Sequence, residues 1–106
     1  MIRLPTNRAP IHPGGILREE FLVPMAISQS ELARLLKIPF QRVNQIVREK
    51  RAVTPDTAMR LAKVFDTSID LWLNLQLAWD LYHAQHSVKA REIDELERFA
   101  FAAGDR

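Results

Sequence analysis

Residues 28–48 read SQSELARLLKIPFQRVNQIVR and contain two short helical patterns separated by a three-residue turn. The first pattern begins with a capping box, in which the Ser28 hydroxyl accepts from the Glu31 amide and the Glu31 carboxylate reaches back. The spacing of the apolar residues predicts helices over about residues 29–36 and 40–48. Two short helices around such a turn, the second rich in Arg, Asn and Gln, are typical of a helix-turn-helix. An ordinary helical hairpin with polar residues facing water is the alternative.

Helical patterns also flank this segment on both sides. A first helix is predicted over residues 14–23, where Pro24 would end it. Thr54 and Pro55 predict the start of a fourth helix, as N-cap and first helical residue respectively. A fifth helix follows and runs to about residue 85. We therefore expect an all-α fold of five helices with an extra C-terminal helical tail.

The chain has 106 residues and no cysteine. This length fits one domain, which we divide into an N-terminal arm (1–11), a helical domain (12–85) and a tail (86–106). The absence of cysteine excludes disulfides and suits a reducing compartment. The first residues lack a secretory apolar segment, and the nine uncharged residues between Asp70 and Asp80 are far fewer than the ~20 of a membrane helix. We expect a cytoplasmic protein without a membrane partner.

The two halves of the chain differ in charge. Residues 1–55 contain nine basic and four acidic residues, a net charge of +5, whereas residues 56–106 contain six basic and nine acidic residues, a net charge of −3. A basic half favours polyanion binding on one side of the molecule. Solvated faces produce similar divisions, so the charge pattern supports nucleic-acid binding without establishing it.

The third predicted helix supplies the candidate base contacts. Asn and Gln can bridge adenine with two hydrogen bonds, and Arg can do the same to guanine. Phe40 can either contact a thymine methyl group or pack on the first helix. Phosphate contacts are expected from Gln29, from the basic residues after the third helix and from the amides beside Thr54. The predicted DNA-binding residues are Gln29, Phe40, Gln41, Arg42, Asn44, Gln45, Arg48, Lys50, Arg51 and Thr54.

The fifth predicted helix is apolar on two sides. One arc contains Leu71, Trp72, Leu75, Ala78, Trp79 and Tyr82, and the opposite arc contains Ile69, Leu73, Leu77, Leu81 and Ala84. Since a small domain cannot cover both arcs, one should face a second copy. The predicted dimer interface comprises Leu73, Leu77, Leu81, Trp72 and Trp79. Alternatively, the tail folds back over the second arc with Ile93, Leu96 and Phe99.

Other kinds of site find little support in the sequence. His83 and His86 are three residues apart, but no third metal ligand has suitable spacing. The sequence contains neither a Walker-type phosphate loop nor a nucleophile elbow. We therefore expect no catalytic residues, no metal and no cofactor.

Four blocks of sequence resemble a known family. They are HPG with LREEF (residues 12–21), the helix-turn-helix, KRAVTPDTA (residues 50–58) and WLNLQ (residues 72–76). Together these blocks resemble the phage-repressor-like (Cro/C1, or XRE) helix-turn-helix family. More specifically, they resemble the HigA-type antitoxins, a group that includes virulence-associated protein I.

The resemblance implies a five-helix, phage-repressor-like dimer that binds palindromic operator DNA and represses its own operon. It also implies a partner, a HigB-like ribonuclease toxin that cleaves mRNA. A stand-alone transcriptional regulator without a toxin is the alternative, and a helical protein-interaction module without DNA binding is a third. Three sites depart from the family pattern, and one of them is Phe40, which stands where a polar residue is common. Lys37 replaces a frequent turn glycine, which predicts a positive φ, and Arg48-Glu49 replaces Asn-Gly after the third helix.

Overall fold

The computed structural model describes residues 9–100. Most of the predicted arm and the end of the predicted tail lie outside the described residues. Helix α1 consists of an α-helical turn (Pro13–Ile16), a π-helical stretch (Leu17–Leu22) and a last turn (Val23–Met25). It is followed by α2 (Gln29–Leu36), α3 (Phe40–Val47), α4 (Pro55–Phe65), α5 (Ile69–Gln85) and α6 (Lys89–Asp94). The expected all-α fold of five helices and a helical tail is confirmed, and no described helix is long and apolar enough to cross a membrane.

Pro24 does not end the first helix, so this part of the prediction is wrong. The Val23 N–H donates to the carbonyl of Arg18, five residues back, as in a π-helix. This wider turn gives room for the proline ring, which in a regular α-helix would collide with the preceding turn. The helix therefore continues to Met25 and ends at Ala26, whose φ is 55°.

The core is centred on Trp72 of α5, which is fully buried. Its indole N–H donates to the Thr67 hydroxyl at 2.8 Å, which satisfies the one polar group of the side chain. The ring of Phe21 from α1 packs against it with 5.3 Å between centroids. The other buried apolar residues come from every helix of the predicted domain, among them Leu17, Leu32, Val43, Ile46, Ala58, Leu61 and Leu75.

Helix α1 packs directly on α3 at Gly14. A Cβ atom at this position would overlap the backbone carbonyl of Ile46, so only glycine fits. Farther along α1, Arg18 donates through Nη1 to the carbonyl of Val47 at 2.6 Å and lies 3.5 Å from the Glu49 carboxylate. Helix α1 therefore determines where the C-terminal half of α3 lies.

Among the described residues, four that are not glycine have a positive φ, and each lies at or just after the end of a helix. These residues are Ala26, Lys37, Glu49 and Asp66, with φ between 55° and 62°. The positive φ predicted for Lys37 is confirmed, and Glu49 gives the turn after α3 the same left-handed geometry. Each such residue costs on the order of 1 kcal/mol relative to a right-handed one. Buried neighbours such as Ile38 hold the chain in these turns.

The predicted N-caps of α2 and α4 are present. The Ser28 hydroxyl accepts from the Glu31 amide at 3.0 Å, and the Thr54 hydroxyl accepts from the Thr57 amide at 3.4 Å. The return half of the capping box is absent from the described structure, because the Glu31 carboxylate instead pairs with Arg34 at 2.6 Å. This hydrogen bond lowers the pKa of Glu31.

His12 is the N-cap of α1, and its neutral form stabilises the fold. Its Nδ1 accepts from the Gly14 amide at 2.8 Å, and the ring is buried edge-on against Trp79. Burial lowers the pKa of His12, although Glu49 and Asp80 oppose the shift. Since the folded pKa lies below the unfolded value of about 6.5, the stabilisation is present above that pH and is lost as the pH falls through the folded pKa.

We expect the free energy of unfolding, measured by urea denaturation, to fall between pH 7.5 and pH 5.5. In His12→Asn this fall should be smaller, because asparagine can cap the helix but does not titrate. Gln85→Ala, which alters an exposed residue of α5 that does not titrate, is the control and should keep the parent's pH dependence. Equal pH dependence in His12→Asn and the parent would contradict the assignment.

Candidate nucleic-acid interface

The outer face of α3 is polar and accessible. Its inner side is buried through Val43, Ile46 and Val47. The opposite side carries Phe40, Gln41, Asn44, Gln45 and Arg48, which are exposed or half-buried. Phe40 is 50% exposed, so its ring is available for contact outside the domain. The structure thus brings the predicted base-contact residues together on one face, with the exception of Arg42.

Asn44 is held by a residue of the preceding helix. Its Nδ2 donates to Oε1 of Gln29 at 3.0 Å, and the pair is partly buried. An asparagine amide has two N–H groups and an acceptor oxygen, so one N–H and Oδ1 of Asn44 are left for a base edge. The Nε2 group of Gln29, at the start of α2, keeps its donors for a phosphate. A predicted base contact and a predicted phosphate contact are therefore joined in one hydrogen-bonded pair.

Gln45 and Arg51 form a second such pair. Arg51 donates through Nε to Oε1 of Gln45 at 2.7 Å, on an exposed surface. The two terminal NH₂ groups of Arg51 are left to bind a phosphate, for which the planar guanidinium is well suited. The Gln45 Nε2 group retains both donors, which match the acceptor atoms of a base in the major groove. Arg48 and Lys50 add exposed positive charge beside this pair.

Arg42 does not share the outer face with Gln41. Its guanidinium points toward α4, where Nη2 lies 3.3 Å from the Asp56 carboxylate, and Asp56 also pairs with Arg60 at 2.9 Å. The Nε atom of Arg42 is buried and has no hydrogen-bond partner within the described structure. In the described structure the Arg42 side chain therefore reaches the neighbouring acidic residue and braces α3 against α4, and its base contact stays a prediction.

The loop between α3 and α4 is fastened to α5 by Gln76. The Val53 amide donates to Gln76 Oε1 at 2.8 Å, and Gln76 Nε2 donates to Asp80 at 2.9 Å. Thr54, a predicted contact, uses its hydroxyl to cap α4. The roles of Gln76 and Arg18 were not predicted from the sequence. For Gln76, the feature that could have indicated its role is its position, since it is an amide at the border of the core-facing arc of α5.

The two arcs of α5 have different surroundings. Leu77 and Leu81 are 62% and 52% exposed, and Leu73 is half-buried. Trp72 is fully buried in the chain's own core, so the prediction that it contacts a second chain is wrong. Trp79 lies on the same inner arc, half-buried beside His12 and His83. These two tryptophans face inward because the inner arc packs against α1 and α4.

The described tail leaves the outer arc of α5 open. After α6, residues 95–100 form no helix. Ile93, Leu96 and Phe99 are 59%, 71% and 75% exposed, so they do not bury themselves against the leucines of α5. The alternative in which the tail covers this arc is therefore wrong for the described residues. Within residues 9–100, no group of three or more His, Cys, Asp or Glu is placed to hold a metal ion.

Comparison with known proteins gives the same fold and similar sequences. The helix-turn-helix family model matches residues 17–72. Virulence-associated protein I of Dichelobacter nodosus is 47% identical over 83 residues, which cover 78% of this chain and 77% of that protein. YbaQ of Escherichia coli K12, described as an uncharacterized helix-turn-helix transcriptional regulator, is 42% identical over 86 residues, covering 81% and 76%.

The solved structures that match this chain include complexes with DNA. The structure of Pseudomonas aeruginosa antitoxin HigA with the higBA promoter matches with a TM-score of 0.79 and 46% identity, covering 86% of this chain and 99% of that one. Antitoxin GraA in complex with its operator matches with a TM-score of 0.80 and 41% identity, covering 93% and 100%. The chain therefore belongs to the XRE-type helix-turn-helix family, in the group that contains virulence-associated protein I and the HigA antitoxins.

Proposed function

We propose that this protein is the antitoxin of a type II toxin–antitoxin module. In this proposal it binds a palindromic operator, represses its own operon and neutralises a HigB-like, mRNA-cleaving ribonuclease in the cytoplasm. No catalytic step is assigned to the chain. The observation that carries the DNA-binding part is the outer face of α3, where two amide side chains are held in hydrogen-bonded pairs beside a basic loop.

The proposed assembly is a homodimer formed through the outer arc of α5. A second copy would cover Leu77 and Leu81, which a small domain exposes at a cost in solvation. In such a dimer the two copies of α3 would lie about 34 Å apart, so that they enter successive major grooves on one side of the duplex. We assign DNA binding and dimerisation to residues 12–85, with 1–11 as an arm and 86–106 as a tail.

The toxin partner is supported by the kinship with HigA. A stand-alone regulator is the second candidate, since YbaQ is described as a transcriptional regulator. Co-expression of the chain with the product of the adjacent gene separates the two. We expect a basic ribonuclease to co-purify and depletion of the chain to arrest growth. If no ribonuclease co-purifies and depletion of the chain does not arrest growth, the stand-alone regulator is favoured.

We expect Gln41→Ala and Asn44→Ala to lose sequence discrimination while folding normally. Each good pair of hydrogen bonds to a base contributes about 1–3 kcal/mol of discrimination. The measurement is fluorescence anisotropy with the operator and with single-base-pair variants, and Gln85→Ala, at the far end of α5, is the control. If both variants discriminate like the parent, α3 does not read the bases as proposed.

We expect Arg51→Ala to weaken binding to all DNA sequences by the same factor, because its guanidinium faces a phosphate. The slope of log K against log salt concentration should flatten by about 0.9, the value for one phosphate contact. Lys63→Ala removes an exposed positive charge from α4 and serves as the control. An unchanged slope in Arg51→Ala would contradict the phosphate contact.

We expect Leu77→Glu to convert the dimer into a monomer in light scattering, because the carboxylate would be buried against the second copy. Leu96→Glu changes an apolar residue of the tail that is even more exposed, 71% against 62% for Leu77, and should leave the dimer intact. A dimeric Leu77→Glu would place the interface elsewhere.

A further inference from the structure

Gln76 joins the helix of the proposed dimer interface to the loop of the proposed phosphate contacts. Its side chain is 7% exposed, and its amide is satisfied at both ends by the Val53 amide and the Asp80 carboxylate. One residue farther along α5, Leu77 lies on the outer arc. Two residues before Val53, Arg51 carries the guanidinium that is held by Gln45.

The loop has few other constraints on its backbone. Its first residue, Lys50, donates to the Gln45 carbonyl at 2.8 Å, and at its end Thr54 begins the next helix. Between them, the Val53 amide is the backbone group that bonds to α5, beside the buried Val53 side chain. A buried amide left without an acceptor is costly, so loss of Gln76 would drive Val53 toward water and move Arg51 with it.

We propose that Gln76 is a positioning residue for DNA binding. It holds the Lys50–Thr54 loop against α5, so that Arg51 meets the phosphate backbone at the register set by α3. A movement of α5 within the proposed dimer would therefore be transmitted to the phosphate contact through the hydrogen bond between Gln76 and Val53. The inference rests on the proposed operator binding and on Arg51 as a phosphate contact.

A double-mutant cycle tests the inference. Operator affinity and its salt dependence are measured for the full chain, Gln76→Ala, Arg51→Ala and the double variant. We expect Gln76→Ala to weaken binding about fivefold, as for loss of one hydrogen bond, and to flatten the salt slope as Arg51→Ala does. In the Arg51→Ala background, Gln76→Ala should cost almost nothing. A purely structural role would weaken binding equally in both backgrounds and leave the salt slope unchanged.

Two further variants separate positioning from stability. Asn74→Ala removes a half-buried amide from the same helix and should retain parental affinity. Gln76→Glu combined with Asp80→Asn keeps a side-chain oxygen at position 76 to accept from Val53. In the bond between positions 76 and 80 the donor and the acceptor are exchanged, and the net charge is unchanged. This double variant should therefore restore the salt slope. Equal losses from Gln76→Ala in both backgrounds would overturn the role of Gln76. Unaltered affinity in Arg51→Ala would instead overturn the phosphate contact itself.

Discussion

The close approach of α1 to α3 at Gly14 is the constraint on which the presentation of the DNA-binding face depends. Because a side chain there would overlap the Ile46 carbonyl, the two helices meet through their backbones. His12 fixes the start of α1 two residues earlier, and Arg18 binds the Val47 carbonyl four residues later. These contacts prevent α3 from rolling about its axis. Hydrogen bonds weaken steeply with angle, so such rigidity is a condition for reading base edges.

The loop after α3 is stabilised from both sides of the domain. From α1, Arg18 pairs with Glu49, and from α5, Gln76 accepts from Val53. Glu49 adopts the left-handed conformation that glycine would adopt more easily, at a cost of about 1 kcal/mol. Arg18 partly neutralises the charge of Glu49, so little negative charge opposes the positive residues that the loop presents. Glu49, whose backbone is strained, thus also helps to anchor α1 to this loop.

Most helix boundaries could be predicted from the sequence, because caps and apolar spacing act over a few residues. Ser28 and Thr54 illustrate this, since each hydroxyl bonds an amide three residues away. The features that could not be predicted depend on contacts between distant parts of the chain. Pro24 follows a π-helical stretch that no local sequence pattern predicts. The two apolar arcs of α5 are nearly equivalent in sequence, so only packing shows that Trp72 faces inward. Arg42 is likewise oriented by Asp56, fourteen residues away.

Two amide side chains of α3, those of Asn44 and Gln45, are held in hydrogen-bonded pairs. This affects how the proposed interface would gain affinity. A free glutamine side chain loses up to about 2 kcal/mol of rotamer entropy when it is fixed. Asn44 and Gln45 have already lost much of this freedom, because Gln29 and Arg51 hold them in the folded domain. Gln41 is exposed and has no such pair among the described residues. Its contact with a base would therefore carry the larger entropic cost, and its orientation would adapt more readily to different base pairs than that of Asn44.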